Sequence, residues 1–274
     1  MTTTEIRALP WPVWRQQFAA LFRMELKKAL FGKRALLVYG LAALALVPPV
    51  LRAVIPMSPE RTVSIANFTQ GLANFFEFLV LRFAVYLGCV WIFMNLFRGD
   101  LLDRTLHYFL LAPIRREVLV AGKYAAGVAA GWAVFGTVTL VGLVLGFLPL
   151  GTATLSRQAY LIPWYLAIVL LAVVGYGAVF TLAGMMFKNP LLPAVAIWAV
   201  EAANPFLPGW LKKFSVIHYL NALRPVPINE GPFAIVADPP PVWLAVLGVL
   251  ALAGVLVWLA MQRARRLEIA YGGD

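Results

Sequence analysis

The sequence predicts an all-α, polytopic membrane protein. It has six transmembrane helices, an N-terminal amphipathic helix in the membrane interface and one short amphipathic helix on the cytoplasmic side. Three observations predict it. Of the 274 residues, 62% are hydrophobic and 13% charged, against about 45–50% and about 25% in soluble globular domains. The apolar residues form six continuous runs, not the alternation of a membrane β-barrel. Lys and Arg number 23 against 12 Asp and Glu, and they collect on alternate connections. A soluble enzyme is excluded. One cysteine, Cys89, and two histidines, His107 and His218, rule out an internal disulfide and a three-histidine zinc centre.

The whole chain, residues 1–274, reads as one transmembrane domain. Seven Lys/Arg in the first 35 residues, and no small-residue cleavage site after a short apolar core, argue against a signal peptide. Residues 11–35 instead read as the interfacial helix. At 100° per residue, Trp14, Phe18, Leu21, Phe22, Leu26 and Ala29 share one side and Gln16, Arg23 and Lys27 the other. Glu25 interrupts the apolar side. An acid there is costly without partners, so Glu25 is expected to bond backbone N–H groups or a basic residue.

The six spans are expected at Leu36–Ile55, Leu79–Phe97, Val118–Leu148, Pro163–Phe187, Leu191–Leu207 and Val242–Met261, each near the ~20 residues that cross a bilayer. The third is long enough to tilt or to emerge into water. With this arrangement 16 of the 23 basic residues lie on the side of the termini. That places both termini in the cytoplasm, as in a bacterial-type inner membrane. In a membrane protein such a surplus sets topology, not nucleic-acid binding. The outer side carries Pro56–Phe78 and the segment 204–241. The latter holds Pro205, Pro208, Pro225, Pro227, Pro232, Pro239, Pro240 and Pro241. It can form short helices, as around Trp210–Leu223, but no long one.

The inner connection RGDLLDRTLHYFLLAPIRREVLVAGKY, Arg98–Tyr124, is the most informative stretch. Gly99 can end the second span, and Asp100 is a good N-cap. A helix over 99–113 sets Asp103, Arg104 and His107 on the face of Asp100, with Leu102, Leu106, Phe109 and Leu110 opposite. Pro113 then disfavours continuation. A polar face of both charge signs suits a protein partner, and equally suits a solvated interfacial helix with none.

This stretch resembles the coupling region of the type-two ABC exporter permeases. Thr105–Leu106 match that family's Thr-Leu, Pro113 its Pro, and Gly122–Lys123 the Gly-Lys that opens the third span. Asp100 stands where the family has Glu, and Arg104 replaces its Gly. The entry segment FRMELKKALFGKRA, Phe22–Ala35, is similar to the family's entry helix, with Glu25 at the acidic position. The resemblance spans nearly the whole chain. It implies the permease subunit of an ATP-driven exporter for a hydrophobic or amphiphilic substrate. Separate ABC ATPase subunits, carrying ATP and Mg, would dock on Asp100, Asp103, Arg104, Thr105 and His107. A second permease copy or a sister permease would complete the pathway. The chain itself is expected to have no cofactor, metal site or catalytic residue, since it contains no GxxxxGK[ST] phosphate loop.

Other constellations fit this sequence less well. Asn95, Asp100 and Asp103 resemble half of a membrane prenyltransferase's diphosphate-binding site. The remaining inner loop, Phe187–Pro190, lacks the second acidic cluster. A secondary transporter without an ATPase would need ionisable residues at mid-membrane in matched halves. The charges here lie near predicted span ends. Arg82, Glu77 and Glu201 are candidate pathway residues, with Arg82, Lys212 or Lys213 as possible partners of Glu201. Gly127/Gly131 and Gly142/Gly146 on the third span form small-xxx-small pairs that suit helix packing within the bundle or between subunits.

Overall fold

The structure, a computed structural model, describes residues 11–55, 64–102, 114–187, 189, 191–227 and 240–266. Among them the ordered elements are all helical. The first described helix, α1, covers Trp11–Phe31, where the sequence leads one to expect the interfacial helix. A turn over Gly32–Arg34 leads into α2, Ala35–Val54, which carries Pro48 and Pro49 inside it.

The next rod begins at Ile65, not near residue 79. It comprises α3, Ile65–Phe75, a π-helical stretch Phe76–Val85, and α4, Tyr86–Leu102. Much of the expected outer loop is therefore helix. Ser64 starts it by accepting the Asn67 backbone N–H at 3.2 Å. Phe68, Leu72 and Phe76, four residues apart, supply its buried stripe. The other end also departs from expectation: the helix runs through Gly99 and Asp100 to Leu102. Asp100 does not cap a new helix, because its buried carboxylate is engaged by two lysines. The Arg34 guanidinium lies over Gly99, 2.1 Å from where a Cβ would stand, and would have to move aside for a larger residue. Of the expected helix 99–113, residues from Asp103 onward lie outside the described residues.

Helix α5, Arg116–Phe147, is followed by a 3-10 turn, Leu148–Leu150, and by α6, Thr152–Gln158. Gly151 joins these at φ +90°, a conformation open to glycine without steric cost. Helix α7 spans Leu161–Met186. The fifth predicted run yields α8, Leu191–Ala202, then a 3-10 turn Asn204–Phe206 that opens on Pro205. Its 12 residues rise only ~18 Å, short of the ~30 Å hydrocarbon core. Two short helices follow, α9 (Gly209–Lys212) and α10 (Val216–Ala222), in the region where the prolines allowed only short ones. Helix α11, Val242–Arg265, closes the described chain.

Five helical segments among the described residues are long and apolar enough to cross a membrane: Ala35–Val54, Ile65–Leu96, Arg116–Leu150, Leu161–Met186 and Val242–Arg265. The chain is a helical, multi-pass membrane protein. Helix α7 is central and packs on α4, α5, α10 and α11. Its most apolar window is 61% buried, as is that of the α3–α4 rod, whereas those of α2 and α11 are 22% buried. The outer pair show apolar side chains such as Leu36, Val54, Leu247 and Trp258 to the surroundings.

The glycine pairs of α5 pack within the bundle. Gly131 faces Val173 and Ile92, Gly142 faces Pro49 and Leu46, and Gly146 faces Leu72. At the centre, the Phe93 ring fills the space that a Cβ would need at both Gly127 and Gly177, at 2.6 and 2.4 Å.

Candidate functional site

Two groups of buried charged residues stand out among the described residues, one toward each end of the α3–α4 rod. The first surrounds Lys123, about two turns into α5. Its side chain is fully buried. Its ammonium donates to Glu25 Oε1 at 2.5 Å, to the Leu96 carbonyl at 2.9 Å and to Asp100 Oδ2. The other Asp100 oxygen takes Lys28 at 2.5 Å. Glu25 and Asp100 are 2% and 0% exposed. Two carboxylates therefore meet two ammonium groups in these contacts, the pairing that burial of charge demands.

Each member arrives for a local reason. Glu25 faces inward because Leu21, one turn earlier, packs over Gly122, where a Cβ would lie 2.8 Å from it. That contact sets the middle of α1 against the first turns of α5. Asp100 faces the cluster because α4 remains helical past Gly99. Trp91 Nε1 donates to the Arg34 carbonyl at 2.8 Å, tying the α1–α2 turn to α4. Burial pushes the Asp100 carboxyl up, but Lys123 and Lys28 outweigh it and hold it below its ordinary value. A cavity of about 230 Å³ adjoins the cluster and is lined by Glu25, Lys28, Lys33, Arg34, Trp91 and Asn95, among others.

The second group lies toward the other end. Arg82 Nε donates to Glu77 Oε1 at 2.7 Å, and Arg224 Nη1 is 3.6 Å from Glu77 Oε2. Residues five apart diverge by about 140° on an α-helix. The π-helical stretch, with its i→i+5 hydrogen bonds, brings Glu77 and Arg82 onto one face. Glu201, at the end of α8, does not need Arg82 as a partner. Its Oε2 accepts from Tyr176 Oη (3.1 Å), Ser215 Oγ (3.0 Å) and the Ile217 N–H (3.0 Å), and its Oε1 from the Val216 N–H (3.0 Å). A carboxylate from α8 thus satisfies the first free N–H groups of α10. Arg82 and Glu201 line one cavity of about 340 Å³ with Phe78, Tyr86, Tyr176 and Trp198.

Of the residues singled out in the sequence, the structure joins Glu25 with Asp100, and Glu77 with Arg82. It sets Arg82 and Glu201 on one cavity wall. Asp103, Arg104, Thr105 and His107 lie outside the described residues. Lys123, Lys28, Arg224 and Tyr176 were not foreseen as site residues. The signal for Lys123 was present, because a lysine inside a predicted span needs a counter-charge. No signal pointed to Tyr176, an aromatic in an apolar run. The arrangement offers fixed, paired charges at both ends of an apolar bundle, which suits mechanical linkage and ligand passage. Comparison of the chain with protein-family models, with curated proteins and with solved structures yields no match.

Proposed function

We propose that this chain is the membrane-spanning subunit of an ATP-driven ABC exporter, moving a hydrophobic or amphiphilic substrate. In this reading it lies in a bacterial-type inner membrane with both termini cytoplasmic, and α8 with its following turn forms a sixth membrane-embedded segment. ATPase subunits, which bind ATP and Mg, dock on the stretch that starts at Asp103. A second copy or a sister permease completes the pathway.

The observation that carries the reading is the Lys123 cluster. Asp100 stands three residues before Asp103 and is bonded to α5 through Lys123 and to α1 through Lys28. In this reading a push on the docking stretch reaches three elements at once through Asp100. The cavity between Arg82 and Glu201 supports the substrate class. Its wall is mostly aromatic, with one guanidinium able to meet an anionic headgroup.

The test is co-purification of a nucleotide-binding partner with wild-type and Asp103→Lys protein, alongside substrate-stimulated ATP hydrolysis. Loss of one buried interfacial charge pair costs about 2–5 kcal/mol, so the variant is expected to lose association or coupling while the permease stays folded. Retention of both by Asp103→Lys and by Leu106→Ala/Phe109→Ala removes the docking assignment. Transport driven by an ion gradient with no ATPase would instead identify a secondary transporter.

A further inference from the structure

At the end of the bundle that carries α1, a cavity of about 600 Å³ opens between the first turns of α1, the start of α5 and the end of α11. Trp11, Trp14 and Phe18 form one wall, and Arg15, Arg115 and Glu117 stand around it. The Arg115 guanidinium lies 4.3 Å from the centre of the Trp14 ring, which fixes both side chains. Glu117 is the acid at this site, and it is shared: Oε1 takes Arg265 at 2.6 Å and Oε2 faces Arg115 at 3.7 Å. Arg116 donates to the Ala264 and Arg265 carbonyls and anchors the end of α11. Among the described residues, positive charge therefore exceeds negative around the cavity.

Two polar atoms of these side chains make no hydrogen bond among the described residues. Trp14 Nε1 is buried with no acceptor among the described residues, and Arg115 Nε, also buried, meets Glu117 Oε2 only at 3.7 Å, beyond hydrogen-bond distance. A buried donor left without a hydrogen bond is costly, and both residues line one cavity. An acceptor-rich anion would satisfy them together. The same cavity has an aromatic, apolar flank on an interfacial helix, where acyl chains lie.

We propose that this cavity is a binding site for one anionic phospholipid, with its phosphate between Arg15, Arg115 and the Trp14 N–H and its acyl chains along Trp11 and Phe18. Basic pockets between membrane helices recognise acidic headgroups in this way. The site is independent of the exporter reading, since it uses neither the Lys123 cluster nor the docking stretch.

The experiment uses the full chain, purified in detergent and delipidated. It is then offered phosphatidylglycerol or phosphatidylcholine of identical acyl chains and weighed by native mass spectrometry. Wild type is expected to retain one phosphatidylglycerol in clear preference to phosphatidylcholine. Each arginine near an acidic headgroup is worth roughly a fivefold gain in binding, so Arg15→Gln/Arg115→Gln should lose roughly twentyfold or more. Trp14→Phe keeps the ring, deletes the N–H and should weaken retention of phosphatidylglycerol alone. Arg157→Gln, on exposed α6, should change nothing. If the double variant does not fold, Trp14→Phe decides. Equal retention of the two lipids, or unchanged retention in the variants, overturns the proposal. Displacement of the lipid by inorganic phosphate at millimolar concentration also overturns it, because the site would then be one for a free anion.

Discussion

Replacing Lys123 by Met tests the central cluster most directly. Methionine keeps the length and apolar stem of the side chain and deletes the ammonium. Three acceptors then lose their donor: Glu25 Oε1, Asp100 Oδ2 and the Leu96 carbonyl. Asp100 retains Lys28 on its other oxygen, whereas Glu25 loses the partner it holds at 2.5 Å. Breaking a buried pair by removing one side costs about 3–5 kcal/mol. At 1.36 kcal/mol per decade, that is roughly two to four decades in the folding equilibrium. Lys28→Met provides the contrast. Its side chain is 45% exposed, and an exposed pair contributes about 0–1 kcal/mol. Removing the orphaned acid as well, in Glu25→Gln/Lys123→Met, should recover more than half of the loss, because replacing both members of a buried pair is often close to neutral. Thermal and denaturant unfolding of the four proteins in one detergent is the assay. The reasoning fails if Lys123→Met is no less stable than Lys28→Met, or if Glu25→Gln recovers nothing.

Acid should act through Asp100, which lies outside the long apolar segments. Its depressed carboxyl contributes stability in full above the ordinary Asp value near 3.8, and that contribution is lost as pH falls below it. Acid titration of detergent-solubilised protein should show this decline in wild type and its absence in Asp100→Asn. Glu201→Ala frees the Val216 and Ile217 N–H groups and should cost about 1–3 kcal/mol, with local loss of amide protection across α10 in hydrogen exchange. Glu201→Gln, which keeps an acceptor, should fall between. Gly177→Val forces the Phe93 ring aside and should cost about 1–3 kcal/mol by overpacking, and Phe93→Leu should relieve part of it in the same unfolding assay. Reporter fusions after Arg266 and within 204–241 should report opposite sides of the membrane, with the first cytoplasmic.

The long helices were legible because apolar runs of this length leave few alternatives. The boundaries of α2, α5, α7 and α11 lie within a few residues of the expected ones. The start of α3 was not legible in the same way. Ile65–Phe75 mixes Asn67, Thr69, Gln70 and Asn74 with its apolar stripe, so mean hydropathy hid a helix that the four-residue spacing of Phe68, Leu72 and Phe76 reveals. The π-helical stretch has no compositional signature. The five-residue separation of Glu77 and Arg82 was its only trace, and it becomes a contact only after the helix widens. Glu25 was legible as an acid needing a partner. The partner's identity was not, because Lys123 is 98 positions away and no local rule links the two. Glu201 was flagged for its charge, but its actual partners are backbone groups of a short helix whose start sequence alone did not fix.

Phe93 belongs to α4, and its ring is keyed into glycine sockets on α5 and α7 at the same time. A key held in two locks forbids axial slippage: neither α5 nor α7 can slide by a turn past α4 without first ejecting the ring. These three helices therefore move as one spindle. Relative motion within the chain must come from the parts hung on that spindle, namely α1 through its ionic joint and the thinly buried α2 and α11. Under the exporter proposal, a stroke delivered at Asp100 would rock the spindle as a unit against its surroundings, and a bulky residue in either socket would be felt along the full length of the rod, far from any charge.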